Sequence, residues 1–193
     1  MLNIQDPSTA SDTTLADLGN IPTGTTKELA QKILDSPNIS FQTPGERDAM
    51  EYIASTGHAR TCGNTSTSPK ILGILLAAAS KYKIVIGVLT DGHGCTSDSQ
   101  THAHAKGLAA DINGVNPLSG SGGTGNMIDA GELQSNSVVK QFYGDLGNIV
   151  AQAGGGEIGQ VQCVSNPDKN AKVHYFNDVC NHIHVDVIGN TSN

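Results

Sequence analysis

The stretch "TSPKILGILLAAASKYKIVIGVL" (67–89) constrains the fold of this chain more than any other. Ser68 is placed to cap a helix, and Pro69 suits a first helical position because its missing N–H would be unpaired there anyway. The spacing therefore predicts a helix over 67–82. "KIVIGVL" (83–89) is short and rich in β-branched residues, which predicts a strand. A helix that hands directly to a strand, both apolar, requires a core that the two share. Lys81 and Lys83 break the run well below the roughly 20 apolar residues needed to span a bilayer, so no membrane insertion is expected.

Other elements arrange themselves around this pair. Helices are expected over 25–34 and 44–55, and a buried strand over 107–112. Residues 113–134 read as a glycine-rich loop. Asn136 opens a further helix that the glycines at 154–156 end. Strands follow over 157–164 and 181–188, the last in strict alternation. This order predicts an α+β domain over 25–193, with helices packed on a small, largely antiparallel sheet. Residues 1–24, rich in Ser, Thr, Asp, Pro and Gly, read as a flexible leader.

With a net charge of −7, and Arg47 and Arg60 its only arginines, the chain has no basic stripe to neutralise phosphates. Nucleic acid and anionic membrane surfaces are excluded as expected partners. Four cysteines without a Cys-x-x-Cys pair argue for two disulfides in an oxidising compartment rather than for a zinc finger or a thioredoxin-like motif. The polar start "MLNIQDPSTASDTT" is not a signal peptide. The expectation is an extracellular or cell-surface protein in which Met1 follows a removed export signal or membrane anchor.

Histidine carries the functional signal. Random placement of seven histidines in 193 residues gives about 0.25 His-x-His pairs per chain. Here there are two, His102/His104 and His182/His184, and each adjoins an aspartate on a predicted strand. In "NHIHVDVI" (181–188) the period of two puts His182, His184 and Asp186 on one face and Ile183, Val185 and Val187 on the other. In "THAHAKGLAAD" (101–111), His104 and Asp111 would face opposite sides of one straight strand, so a turn must intervene, and Gly107 can make it. Two imidazoles and one carboxylate form a ligand set that suits a hydrolytic zinc, with a position left for water.

These residues carry a resemblance. "His104-Ala-Lys-Gly107-Leu-Ala109-Ala-Asp111" resembles the His-x-x-Gly-x-Ala-x-Asp motif, and "His182-Ile-His184" the His-x-His motif, of the zinc metallopeptidases grouped as lysostaphin, D-Ala-D-Ala metallopeptidase and hedgehog-like. The likeness is greatest to the D-Ala-D-Ala carboxypeptidase branch and runs from about Pro69 to Val187. It implies a hedgehog/D-Ala-D-Ala peptidase-like fold. It also implies one zinc ion on His104, Asp111 and His184, and peptidoglycan peptides as substrate. The expected activity is that of a monomeric zinc-dependent D,D-carboxypeptidase or cell-wall endopeptidase using a metal-activated water. The alternative is a non-enzymatic zinc-containing domain that binds cell wall or protein.

Where many carboxypeptidase-branch members carry Glu or Asp three residues before the last ligand, this chain has Asn181. Either His182 or Asp186 is then the general base, or the site is weakly active; Asp186 also suits the task of fixing an imidazole tautomer. His102 stands where the family often has Ser; it stabilises an oxyanion, competes as a ligand or sits in water. In true carboxypeptidases an arginine commonly grips the terminal carboxylate. Arg47 and Arg60 both precede the matched region, which keeps the endopeptidase reading beside the carboxypeptidase one. Lys106 and His93 are the other donors available. Four cysteines allow three pairings; proximity to the site suggests Cys62–Cys95 and Cys163–Cys180.

Overall fold

The computed structural model describes residues 20–91, 95 and 102–188. Residues 1–19 of the expected leader, His93 and the side chain of His102 lie outside the described residues. The chain runs α1 (Thr26–Asp35), β1 (Ile39–Phe41), α2 (Pro44–Thr56), α3 (Pro69–Ala79), β2 (Tyr82–Ile86), α4 (His102–Ala105) and β3 (Ala109–Pro117). It continues through α5 (Ala130–Ser135), α6 (Ser137–Gln152), β4 (Gly156–Ile158), β5 (Val173–Tyr175) and β6 (Ile183–Asp186).

The long helices start where side chains can satisfy the first N–H groups. Thr25 and Thr43 form capping boxes with Glu28 and Glu46, and Ser68 accepts from the backbone of Lys70 ahead of α3. α3 is apolar nearly all round. Such a helix must be surrounded, and α3 packs against α1, α6 and β2. Ile71, Leu72, Ile74 and Leu75 are fully buried there. α6 brings Phe142 and Leu146 onto the sheet, and Phe142 meets the Tyr82 ring edge to face at 5.1 Å.

The α+β class holds, but the sheet differs from expectation. It is six-stranded and mixed, in the order β1-β2-β3-β6-β4-β5. β1–β2 and β4–β5 pair in parallel, while β2–β3, β3–β6 and β4–β6 are antiparallel. The two strands that change the description, β1 and β5, are three-residue edge strands too short to show a period. The expected loop 113–134 is also cut short. β3 continues through Gly114 to Pro117 along β2, and Asp129 caps α5.

Alternation along β3 sends Ala110 and Ile112 into the core and Asp111 to the opposite face. On β6, Ile183 and Val185 join the core, so His184 and Asp186 share the face of Asp111. The β3–β6 register pairs Asp111 with His184 directly and Ala109 with Asp186. The register of β2 on β3 shifts between Val85 and Ile86. This irregularity swings residues 87–89 alongside β3, where Gly87 donates to the Asp111 carbonyl and Asp111 to that of Val88.

Candidate metal centre

His104, Asp111 and His184 come together as a buried group able to hold a metal ion. Each reaches the centre for a local reason. His104 lies on the four-residue α4, and Gly107 closes that helix in the left-handed region at φ +68°. Gly107 N–H donates to the His104 carbonyl, Leu108 N–H to that of Ala103, and the chain leaves as β3. A Cβ on Gly107 would lie 2.5 Å from the Ser66 carbonyl oxygen, so crowding as well as backbone angle requires glycine. The turn expected at Gly107 is thus the device that sets His104 beside Asp111. β6 supplies His184 as the cross-strand partner of Asp111.

Three atoms form the triangle. His104 Nε2 to His184 Nδ1 is 3.1 Å, His184 Nδ1 to Asp111 Oδ1 is 3.1 Å, and His104 Nε2 to Asp111 Oδ1 is 3.2 Å. Ligand atoms about 2.0–2.1 Å from a tetrahedral zinc sit roughly 3.3–3.4 Å from one another, so this triangle is close to one face of that tetrahedron. The outer nitrogens are committed elsewhere. His104 Nδ1 bonds the Leu89 carbonyl, and His184 Nε2 bonds Asp186 Oδ2 at 3.2 Å. Those acceptors take the ring hydrogens and leave the inner nitrogens as lone pairs, the arrangement that ligating imidazoles need.

Burial alone would push the His184 pKa down, but hydrogen bonds and charge from Asp111 and Asp186 outweigh it and lift it to about 9. A proton thus holds the acceptors together when no cation does.

Asp186 is buried, with Oδ2 at 3.2 Å from the outer nitrogen of His184, and its Oδ1 accepts from Ile188 N–H. His182 stands at the rim, its side chain 17% exposed, with Nε2 3.4 Å from Asp111 Oδ1. Its Nδ1 bonds Asn181 Oδ1 at 2.6 Å, which fixes the tautomer and leaves the lone pair on Nε2. Burial lowers the His182 pKa; Asp111 and Asp178 work against that, and His184 and His104 add to it. Arg47 pairs with exposed Glu51, and Arg60 lies over the Tyr52 ring and bonds the Asp48 carbonyl. His174 pairs with Glu157 at 3.2 Å.

Sequence reasoning missed Gln160 and Asp178. Gln160 is fully buried two residues past the end of β4, with φ +62°, a conformation costing a non-glycine residue about 1–2 kcal/mol. Its Oε1 accepts from His184 N–H at 2.8 Å, and its Nε2 lies 3.1 Å from His182 Nε2 and 3.0 Å from Asp178 Oδ2. An isolated Gln in an expected strand gives no sequence signal of such a role.

Two disulfides, Cys62–Cys95 and Cys163–Cys180, flank the centre in the pairing that proximity suggested. They suit an oxidising environment. Among the described residues no helix is long and apolar enough to cross a membrane. No family model, no curated protein and no solved structure matches the chain.

Proposed function

We propose that this protein is an extracellular or cell-surface zinc peptidase acting on peptidoglycan peptides, as a D,D-carboxypeptidase or a cell-wall endopeptidase. The resemblance in the two histidine motifs supplies the substrate class and the hedgehog/D-Ala-D-Ala peptidase-like fold family. One observation carries the reading: His104 Nε2, Asp111 Oδ1 and His184 Nδ1 within 3.2 Å of one another, with both imidazoles held in the ligating tautomer.

His104, Asp111 and His184 would hold the ion; two imidazoles and one carboxylate, without thiolate, suit zinc in a hydrolytic site. Zinc supplies there the Lewis acidity that activates water near neutral pH and polarises a carbonyl. The remaining work belongs to the chain. Leu89 and Asp186 keep the ligands aimed. His182, kept neutral by burial, exchanges the Gln160 N–H at its Nε2 for the attacking water, takes that water's proton and returns it to the leaving amine. Asn181 is then no base but the group that orients the base. A cavity of about 370 Å³ lined by Arg60, Thr61, Leu89 and Asp91 shares Leu89 with the support of His104 and is the candidate place for substrate.

The test is release of amines from purified peptidoglycan, with and without a chelator. Release that the chelator abolishes, and that His182→Ala lowers about 10²–10⁴-fold at unchanged metal content, is the expected result. A protein that binds zinc yet releases nothing is instead the metal-containing binding domain.

A further inference from the structure

Resting on that metal centre, we propose that Gln160 plugs a latent second cation site formed by Asp178 and His182 beside His184, and so keeps the centre mononuclear. Asp178, His182 and His184 form a second group able to hold a metal ion beside the first. His182 Nε2 is 3.5 Å from Asp178 Oδ2 and 3.4 Å from Asp111 Oδ1. His182 Nε2 and Asp178 Oδ2 therefore supply two acceptors at one place, and Asp111 Oδ1 lies on the His182 side of it, next to the triangle of His104, Asp111 and His184. Two-metal hydrolytic sites are built this way, with neighbouring ligand groups holding ions about 3.5–4 Å apart.

What stands between the acceptors is the side-chain amide of Gln160. Its Nε2 reaches Asp178 Oδ2 at 3.0 Å and His182 Nε2 at 3.1 Å, one N–H for each. The orientation of the amide is not free, because its Oε1 is taken by the His184 N–H at 2.8 Å. The NH₂ group thus does for Asp178 and His182 what a cation would do, without charge. The left-handed backbone of Gln160 points the same way, since an unfavourable conformation at a buried polar residue persists where its side chain is required.

Gln160→Glu is nearly isosteric. One carboxylate oxygen keeps the His184 N–H, and the other turns a second acceptor set toward Asp178 and His182. The experiment strips the full-length protein with chelator, titrates it with zinc and counts bound ions by native mass spectrometry and elemental analysis. Wild type is expected to hold one zinc and Gln160→Glu two, with the second lost again in Gln160→Glu/Asp178→Ala. Should Gln160→Glu fail to fold, Gln160→Gly suits the left-handed backbone and unplugs the same place. It is expected to take a second zinc at higher concentration than the glutamate variant requires. Two ions in wild type, or one ion in every folded Gln160 variant, overturns the plug while leaving the first centre intact. No ion in wild type overturns the metal centre itself.

Discussion

His104 Nε2 and His184 Nδ1 face each other at 3.1 Å, each imidazole having turned its hydrogen outward, to Leu89 and to Asp186. Two lone pairs and a carboxylate oxygen cannot share so small a space without something positive among them. A proton or a metal ion can serve, and the two compete. With the His184 pKa at about 9, loading at pH 7 displaces that proton. Calorimetry in buffers of different ionisation enthalpy is expected to show about one proton released per zinc, with affinity rising toward pH 9. Uptake without proton release contradicts this.

The same proton stabilises the metal-free fold. Because the folded value of about 9 lies above the ordinary 6.5, the stabilisation is complete below pH 6.5 and disappears as pH rises through 9. Its size is on the order of 3 kcal/mol. Urea unfolding of chelated protein is expected to show falling stability from pH 7 to 10. A flat or rising profile rules it out.

Asp186 touches no ion in this account, yet it sets the tautomer of His184. Asp186→Ala is expected to weaken zinc binding about 10–100-fold, read by competition with a chelating dye. Unchanged affinity would mean that His184 needs no partner.

Gly107→Ala meets both a left-handed backbone and the Ser66 carbonyl. A loss of at least about 1–2 kcal/mol in stability is expected, with weaker zinc binding because His104 moves relative to Asp111. Thermal unfolding and a zinc titration check it together.

The Cys163–Cys180 bridge, with a separation of 17 residues, leads directly into β6. Replacing both cysteines by serine is expected to cost about 3 kcal/mol and to loosen the hold on His184. A variant equally stable and equally metal-loaded would remove the bridge from the account.

Much of this was legible in the sequence because the signals are local. Ser68 marks a helix start, and a period of two in "HIHVDV" puts His184 and Asp186 on one face. The strands β1 and β5 were not legible, since three residues at a sheet edge carry no pattern. The expected strand over 157–164 stops at Ile158, because Gly159 packs against His184 and Phe176 and Gln160 turns left-handed. The roles of Gln160 and Asp178 arise from contacts between residues 16 or more positions apart in most cases, which only the assembled sheet brings together. Likewise, no periodicity announces that the Leu89 carbonyl will hold His104; the register shift in β2 decides it.

Anomalous diffraction at the zinc edge, on crystals of the zinc-loaded protein, tests the centre most directly. One peak within about 2.0–2.2 Å of His104 Nε2, Asp111 Oδ1 and His184 Nδ1 is the result this account predicts. A zinc found only elsewhere, with those three atoms still closed on one another, would contradict it.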